Sequence, residues 1–133
     1  MEIAAKVVNA LGRHEATVRT GGNAQALAIA PKPGGRGSSA NGGELLMLAL
    51  ATCYCNDLFR EAARLGLALG RVEVEAVADF PAVGVAATNV RYRAKIDSTA
   101  PAEAIERLLR ETDAVAEVHN TLRAGVAVRL ERD

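Results

Sequence analysis

From the N-terminus, apolar and polar positions first alternate with a period near two. Glu2 to Ala10 reads as extended, and Glu15 to Thr20 repeats the pattern with β-branched residues set between Arg and Glu. Gly21-Gly22-Asn23 is a turn signal, and Gln25 to Ala30, closed by Pro31, reads as a third strand. Short strand-like runs separated by turn residues predict an antiparallel meander. The next stretch, Pro31 to Gly43, holds Pro33, Gly34-Gly35, Gly37, Ser38-Ser39 and Gly42-Gly43. That composition suits neither a strand nor a helix interior and predicts the most flexible part of the chain.

At Glu44 the period changes. Glu44 to Leu65 predicts a helix, with Glu44 near the positive end of its dipole and Gly66 as its C-cap. The first half is apolar almost all round, the mark of a buried central helix, and the second half is amphipathic, with Arg60, Glu61 and Arg64 outward. Val72 to Asp79 and Val90 to Ile96 alternate again and predict a hairpin with one charged face. Ser98 or Thr99 is the expected cap of a helix from Pro101 to Glu111. A shorter helix over Asp113 to Leu122 and a closing strand over Val126 to Leu130 complete the pattern. Strands segregated from helices, with a long helix to lie on the sheet, give an α+β fold of antiparallel sheets. Neither a repeat nor a linker interrupts residues 1–133, which predicts one domain.

Composition changes the picture in one respect. Half of the 133 residues are hydrophobic, yet only 3% are aromatic and tryptophan is absent. The apolar content is mostly alanine, valine and leucine, so the core of so short a chain is thin and wants a partner subunit. Sixteen Lys and Arg balance sixteen Asp and Glu. Without a basic excess or stacking aromatics, nucleic acid and anionic membrane surfaces are excluded as partners. The longest strongly apolar run, Leu45 to Cys55, is too short for a bilayer-spanning helix of about 20 residues. The first residues lack the basic-then-apolar order of an export signal. With only two cysteines, a reducing, cytoplasmic setting is expected.

Candidate chemistry centres on those cysteines. Cys53 and Cys55 are two residues apart on the predicted helix, which puts them about 200° apart around its axis. They face opposite ways, and no disulfide joins them while the helix stays wound. Cys53 shares a face with Leu46, Ala49, Leu50 and Asp57; Cys55 shares one with Leu48, Ala51, Leu58 and Phe59. Each thiol is either buried packing or a reactive group. Only His14 and His119 could join them on a metal, too few for a tetrahedral zinc site, so no metal or cofactor is expected. A thiolate needs a cation to hold its pKa down. Arg13, Arg36 and the helix arginines are the candidates, and spacing does not choose among them.

The segment Gly34-Gly35-Arg36-Gly37, followed by Asn41-Gly42-Gly43-Glu44-Leu45-Leu46 and a helix reaching Ala51-Thr52-Cys53, resembles the signature of the OsmC-like family. Val118-His119-Asn120-Thr121-Leu122 before Gly125-Val126 is similar to that family's second motif. The resemblance spans almost the whole chain. It implies an intertwined homodimer with its long helices buried between two sheets, and a thiol-dependent peroxidase acting on organic hydroperoxides at the dimer interface. By position, Cys53 would be the peroxidatic thiol, Arg13 of Gly12-Arg13 the cation that activates it, and Glu44 the carboxylate that orients that cation. The chain also departs from the family pattern. Ala116 takes the place of the resolving cysteine, Glu117 that of a proline, Gly42 that of another proline, and Gly43 that of a glutamate. Without a resolving thiol, a sulfenic acid on Cys53 needs an external thiol reductant. The competing expectation is a non-enzymatic dimer that binds an apolar small molecule at its interface.

Overall fold

A computed structural model describes residues 1–132. The chain divides into two compact units, Met1–Leu45 and the remainder from Leu46 onward.

In the first unit, β1 (Ile3–Ala10), β2 (Arg13–Thr20) and β3 (Asn23–Leu27) form an antiparallel sheet in the order β1-β2-β3. Pairing runs from Ile3 with Thr20 to Ala10 with Arg13, and from Ala16 with Leu27 to Thr20 with Asn23. Each connection is two residues long. Gly12 and Gly21 supply the positive φ angles, +71° and +56°, that so tight a reversal requires. The meander is the predicted one, with β3 beginning and ending earlier than the apolar pattern suggested. Of its side chains only Ala16 is buried; Ile3, Val7 and Leu27 remain exposed.

The glycine-rich stretch is bonded rather than slack. Pro31 and Ser38 form an isolated bridge, and the Lys32 amide donates to the Gly37 carbonyl at 2.9 Å. Arg36 Nε donates to Asn9 Oδ1 at 3.0 Å, tying the loop to the end of β1. Its backbone groups have partners because the glycines allow the chain to double back on itself.

Helix α1 (Gly42–Arg64) opens with a capping box. The Glu44 amide donates to Asn41 Oδ1 at 2.8 Å, and the Asn41 amide donates to Glu44 Oε1 at 3.0 Å. At the other end, the amides of Gly66 and Leu67 donate back to the carbonyls of Ala63 and Ala62, a Schellman closure that uses the left-handed Gly66. The second half of α1 buries Tyr54, Leu58 and Ala62, as its amphipathic pattern predicts, with Arg60 and Arg64 outward; Glu61, expected outward with them, is instead buried, covered by the two arginines that pair with it. In the first half Leu50 is buried, whereas Leu45 and Leu48 are exposed within the single chain.

In the second unit, β4 (Val72–Asp79) and β5 (Thr88–Ile96) pair antiparallel from Val72 with Ile96 to Asp79 with Thr88, with a bulge between Val77 and Asp79. Val72, Val74, Tyr92, Ala94 and Ile96 pack on a core of Tyr54, Leu58, Ala62, Leu108 and Ala116. The opposite face carries Glu73, Glu75, Arg93 and Lys95, with Arg93 and Glu75 paired at 2.8 Å. This is the expected hairpin with one charged face.

Helices α2 (Ala102–Val115) and α3 (Glu117–Ala124) follow. They differ from the sequence reading in three ways. Pro101 itself is the N-cap of α2, while Ser98 Oγ donates to the Ala68 carbonyl and accepts from the Ala100 amide, so neither Ser98 nor Thr99 caps the helix. The break between the helices lies at Ala116, whose ψ of 107° is extended and whose side chain is wholly buried. Among the described residues no strand forms over Val126 to Leu130: the segment is unpaired and Val128 is 98% exposed. Alternation alone does not make a strand; an open sheet edge must accept it. Among the described residues no helix is long and apolar enough to cross a membrane.

Candidate functional site

Cys53 sits midway along α1, part-buried against the core of the second unit. Helical periodicity aims it, with Leu46 and Leu50, at one side of the helix, and Asp57 follows one turn later on the same face. The thiol donates to Asp57 Oδ2 at 3.7 Å, and Glu117 Oε2, in the first turn of α3, lies 3.9 Å from the sulfur. The other oxygen of Asp57 is held by Arg60 Nη1 at 3.0 Å, and the same nitrogen is 3.9 Å from Glu117 Oε1. The break at Ala116 makes this possible by starting α3 where the Glu117 side chain and the Val118 amide both reach Cys53.

The thiol is therefore surrounded mainly by negative charge. Burial pushes its pKa above the ordinary value, the carboxylates of Asp57 and Glu117 add to the rise, and the Val118 N–H acts against it. Asp57, only 6% exposed, is itself pushed up by burial and by Glu117, with Arg60 opposing. The ligand atoms of Cys53, Asp57 and Glu117 all lie within 4.8 Å of one another. A cationic side chain already occupies the carboxylates, so these residues do not read as a metal centre. The second cysteine, Cys55, is also a free thiol.

Next to this group is an aromatic cluster. The Tyr92 ring lies edge-on to Tyr54 at 4.6 Å and to His119 at 4.4 Å. Tyr54 Oη donates to the Leu109 carbonyl at 2.7 Å, and Tyr92 Oη donates to Asp113. Asp113 also accepts from Arg123 at 2.7 Å. Burial works to raise the Asp113 carboxyl, but the Tyr92 hydroxyl and Arg123 outweigh it and hold the pKa low. Burial pushes Tyr54 up to about 12. His119 is 3% exposed, neither ring nitrogen has a partner, and burial depresses its pKa, so the ring is neutral. An open apolar hollow of about 480 Å³ is lined by Leu46, Leu50, Val90, Tyr92, His119 and Arg123, among others.

Residues 35–131 match the model of the OsmC-like protein family. The chain belongs to the OsmC-like family. Solved OsmC-like structures share its fold. One from Mycoplasma pneumoniae superposes with a TM-score of 0.64 at 16% identity, over 92% of this chain and 89% of that one. An organic hydroperoxide resistance protein from Elizabethkingia anophelis, with crystallant-derived thiocyanate bound, gives 0.62 at 18% over 92% and 89%. An OsmC-like protein of unknown function from Vibrio cholerae gives 0.63 at 13% over 91% and 93%. No curated protein matches the chain.

Within this OsmC-like chain, the residues singled out by sequence are engaged as follows. Arg13, exposed at the start of the central strand β2, is paired with Glu15 at 2.5 Å. Glu44 closes the capping box of α1, nine residues before Cys53. Ala116, where the resemblance led us to expect a second cysteine, is a methyl group in the core. Two residues at the sulfur were not singled out for chemistry. Asp57 is legible in principle, since it lies four positions after Cys53 on one helix face. Glu117 is 64 positions away, and its signal in the sequence is that it stands where the family resemblance led us to expect a proline.

Proposed function

We propose that this OsmC-like protein is a thiol-dependent peroxidase that reduces organic hydroperoxides through Cys53. The observation that carries the reading is a free, part-buried thiol at the motif position of an OsmC-like chain whose fold is shared by a structure described as an organic hydroperoxide resistance protein. The Cys53 sulfur attacks the peroxide O–O bond, becomes a sulfenic acid and releases an alcohol. Ala116 offers no thiol to resolve that acid, and Cys55 is on the other side of a wound helix, so an external thiol completes the cycle. Arg13 is the proposed cation for the thiolate and the developing alkoxide, and Glu44 its orienting carboxylate.

The protein acts, in this reading, as a homodimer in which residues 1–133 form a single domain, in a reducing cytoplasmic setting. Val7, Leu48 and Phe59 are 60%, 59% and 48% exposed within one chain, and a second copy covering them would supply the core that one chain lacks. The test is hydroperoxide turnover with a dithiol reductant. Wild type is expected to turn over and Cys53→Ser to be inactive; equal turnover by the two ends the assignment.

Two observations favour a second reading. The thiol pKa is raised, and an apolar hollow with a neutral histidine lies on the same helix face. Both suit a non-enzymatic dimer that binds an apolar small molecule. Saturable binding of such a probe by wild type, without any oxidation of Cys53 by hydroperoxide, would establish it.

A further inference from the structure

The division of labour within one carboxylate is the notable feature of this site. Asp57 Oδ1 is anchored by Arg60 at 3.0 Å, and Asp57 Oδ2 faces the Cys53 sulfur at 3.7 Å. The arginine leaves Oδ2 free to exchange a proton with the thiol that donates to it. Resting on the peroxidase reading above, we propose that Asp57 is a catalytic residue, carrying the Cys53 proton to the leaving oxygen of the hydroperoxide.

The step balances as follows. Asp57 Oδ2 takes the thiol proton as the sulfur attacks the terminal peroxide oxygen. A sulfur–oxygen bond forms and the O–O bond breaks. The thiol is oxidised to a sulfenic acid and the hydroperoxide reduced to an alkoxide, which takes the proton back from Asp57 and leaves as the alcohol. No co-reactant enters until the external thiol regenerates Cys53.

The surroundings fit a group that exchanges protons. Burial and the neighbouring Glu117 both push the Asp57 carboxyl upward, toward the range where general acid and base catalysis is most effective at neutral pH. The groups that face the pair are Arg60 from α1, and Glu117, the Val118 amide and the neutral His119 from α3. Of these, Glu117 is the other carboxylate at the sulfur among the described residues, and its side chain is largely solvent-exposed, whereas Asp57 is buried.

Two rates read this out in the full chain with Cys55→Ser, which leaves one thiol. Alkylation of Cys53 by iodoacetamide reports the free thiolate, and single-turnover oxidation by cumene hydroperoxide, followed by the added oxygen mass, reports the proposed step. Asp57→Asn removes a negative charge from the sulfur, so alkylation at pH 7 is expected to speed up. Oxidation is expected to slow by about 100-fold, the usual size of a lost proton transfer. Opposite signs are the signature: a purely electrostatic or structural role moves both rates together, and that outcome overturns the proposal.

The unaltered Asp57 gives a second measurement that does not depend on a variant folding. Oxidation should reach half its maximum at a lower pH than alkylation, because it requires ionised Asp57 rather than free thiolate. Superposed profiles overturn the proposal while leaving the peroxidase reading intact. Failure of Cys53 to gain oxygen at all overturns both.

Discussion

Glu117 brings a carboxylate to 3.9 Å from the Cys53 sulfur, across the gap between α3 and α1, at the position where the family resemblance led us to expect a proline. A negative charge there disfavours the thiolate, in addition to the burial that already does so. With Cys55→Ser as background, Cys53 should react with iodoacetamide more slowly at pH 7 than a free cysteine of pKa about 8.5. Glu117→Gln removes the charge and keeps the shape, so the midpoint of the pH–rate curve should move down. Unchanged or slower alkylation in Glu117→Gln would show that this carboxylate does not act on the sulfur.

Glu44 offers a way to separate fold from chemistry. Its Oε1 accepts the Asn41 amide and its own amide donates to Asn41 Oδ1. Glutamine retains an oxygen acceptor, so Glu44→Gln should preserve the capping box and change stability by less than about 0.5 kcal/mol, the ordinary range of a harmless surface substitution. Asn41→Ala, which removes the acceptor side chain at the N-cap, should cost about 0.5–2 kcal/mol. If Glu44 orients a cation at the active thiol, peroxidase turnover falls in Glu44→Gln at unchanged stability. Chemical denaturation and turnover of the same samples decide it; full turnover in Glu44→Gln confines the residue to capping.

His119 predicts a pH dependence of stability whose sign follows from its burial. Neither ring nitrogen has a partner, and burial lowers the folded-state pKa below the ordinary 6.5. Between those two values the unfolded chain binds a proton that the folded chain does not, so stability is intact above pH 6.5 and falls as pH drops below it. The slope from this residue cannot exceed that of one proton, about 1.4 kcal/mol per pH unit. Thermal melts between pH 8 and pH 5 should show the fall in wild type and a shallower one in His119→Phe. Equal slopes would place the acid sensitivity elsewhere in the protein, since the raised carboxyl of Asp57 acts with the opposite sign.

How far the sequence carried the structure depends on what each element needs. The meander, α1 and the β4–β5 hairpin follow from periodicity because each finds its partners nearby in the chain, and the closing Gly66 is legible in the sequence too. The boundary between α2 and α3 was not legible. It lies at Ala116, a residue of high helix propensity, and it is set by the burial of that methyl group against Tyr54 and Leu58. The expected strand at Val126 to Leu130 is a true alternation that pairs with no strand among the described residues. At the site, the facing of Cys53 toward Asp57 followed from helix geometry, whereas the approach of Glu117 is tertiary. No local rule relates residues 64 positions apart, and only the packing of α3 brings that charge to the thiol.

Leu58 and Leu48 lie on the same helix and make opposite predictions. Leu58 has no exposed surface and packs in the core with Leu108 and Tyr54, so Leu58→Ala should destabilise the protein by about 2–5 kcal/mol, through lost burial and the cavity left behind. Leu48 is 59% exposed, and in an isolated chain its truncation would cost little. If α1 packs against a second copy, Leu48 is interface instead, and a charge there is costly because it must be desolvated without a partner. Leu48→Glu should then shift the protein from dimer to monomer in sedimentation and lower the melting temperature in a concentration-dependent way. Leu58→Ala should melt earlier at every concentration without that dependence changing. A wild type that sediments as a stable monomer at micromolar concentration, indistinguishable from Leu48→Glu, would refute the dimer and leave the exposed leucines of α1 as the surface of a single chain.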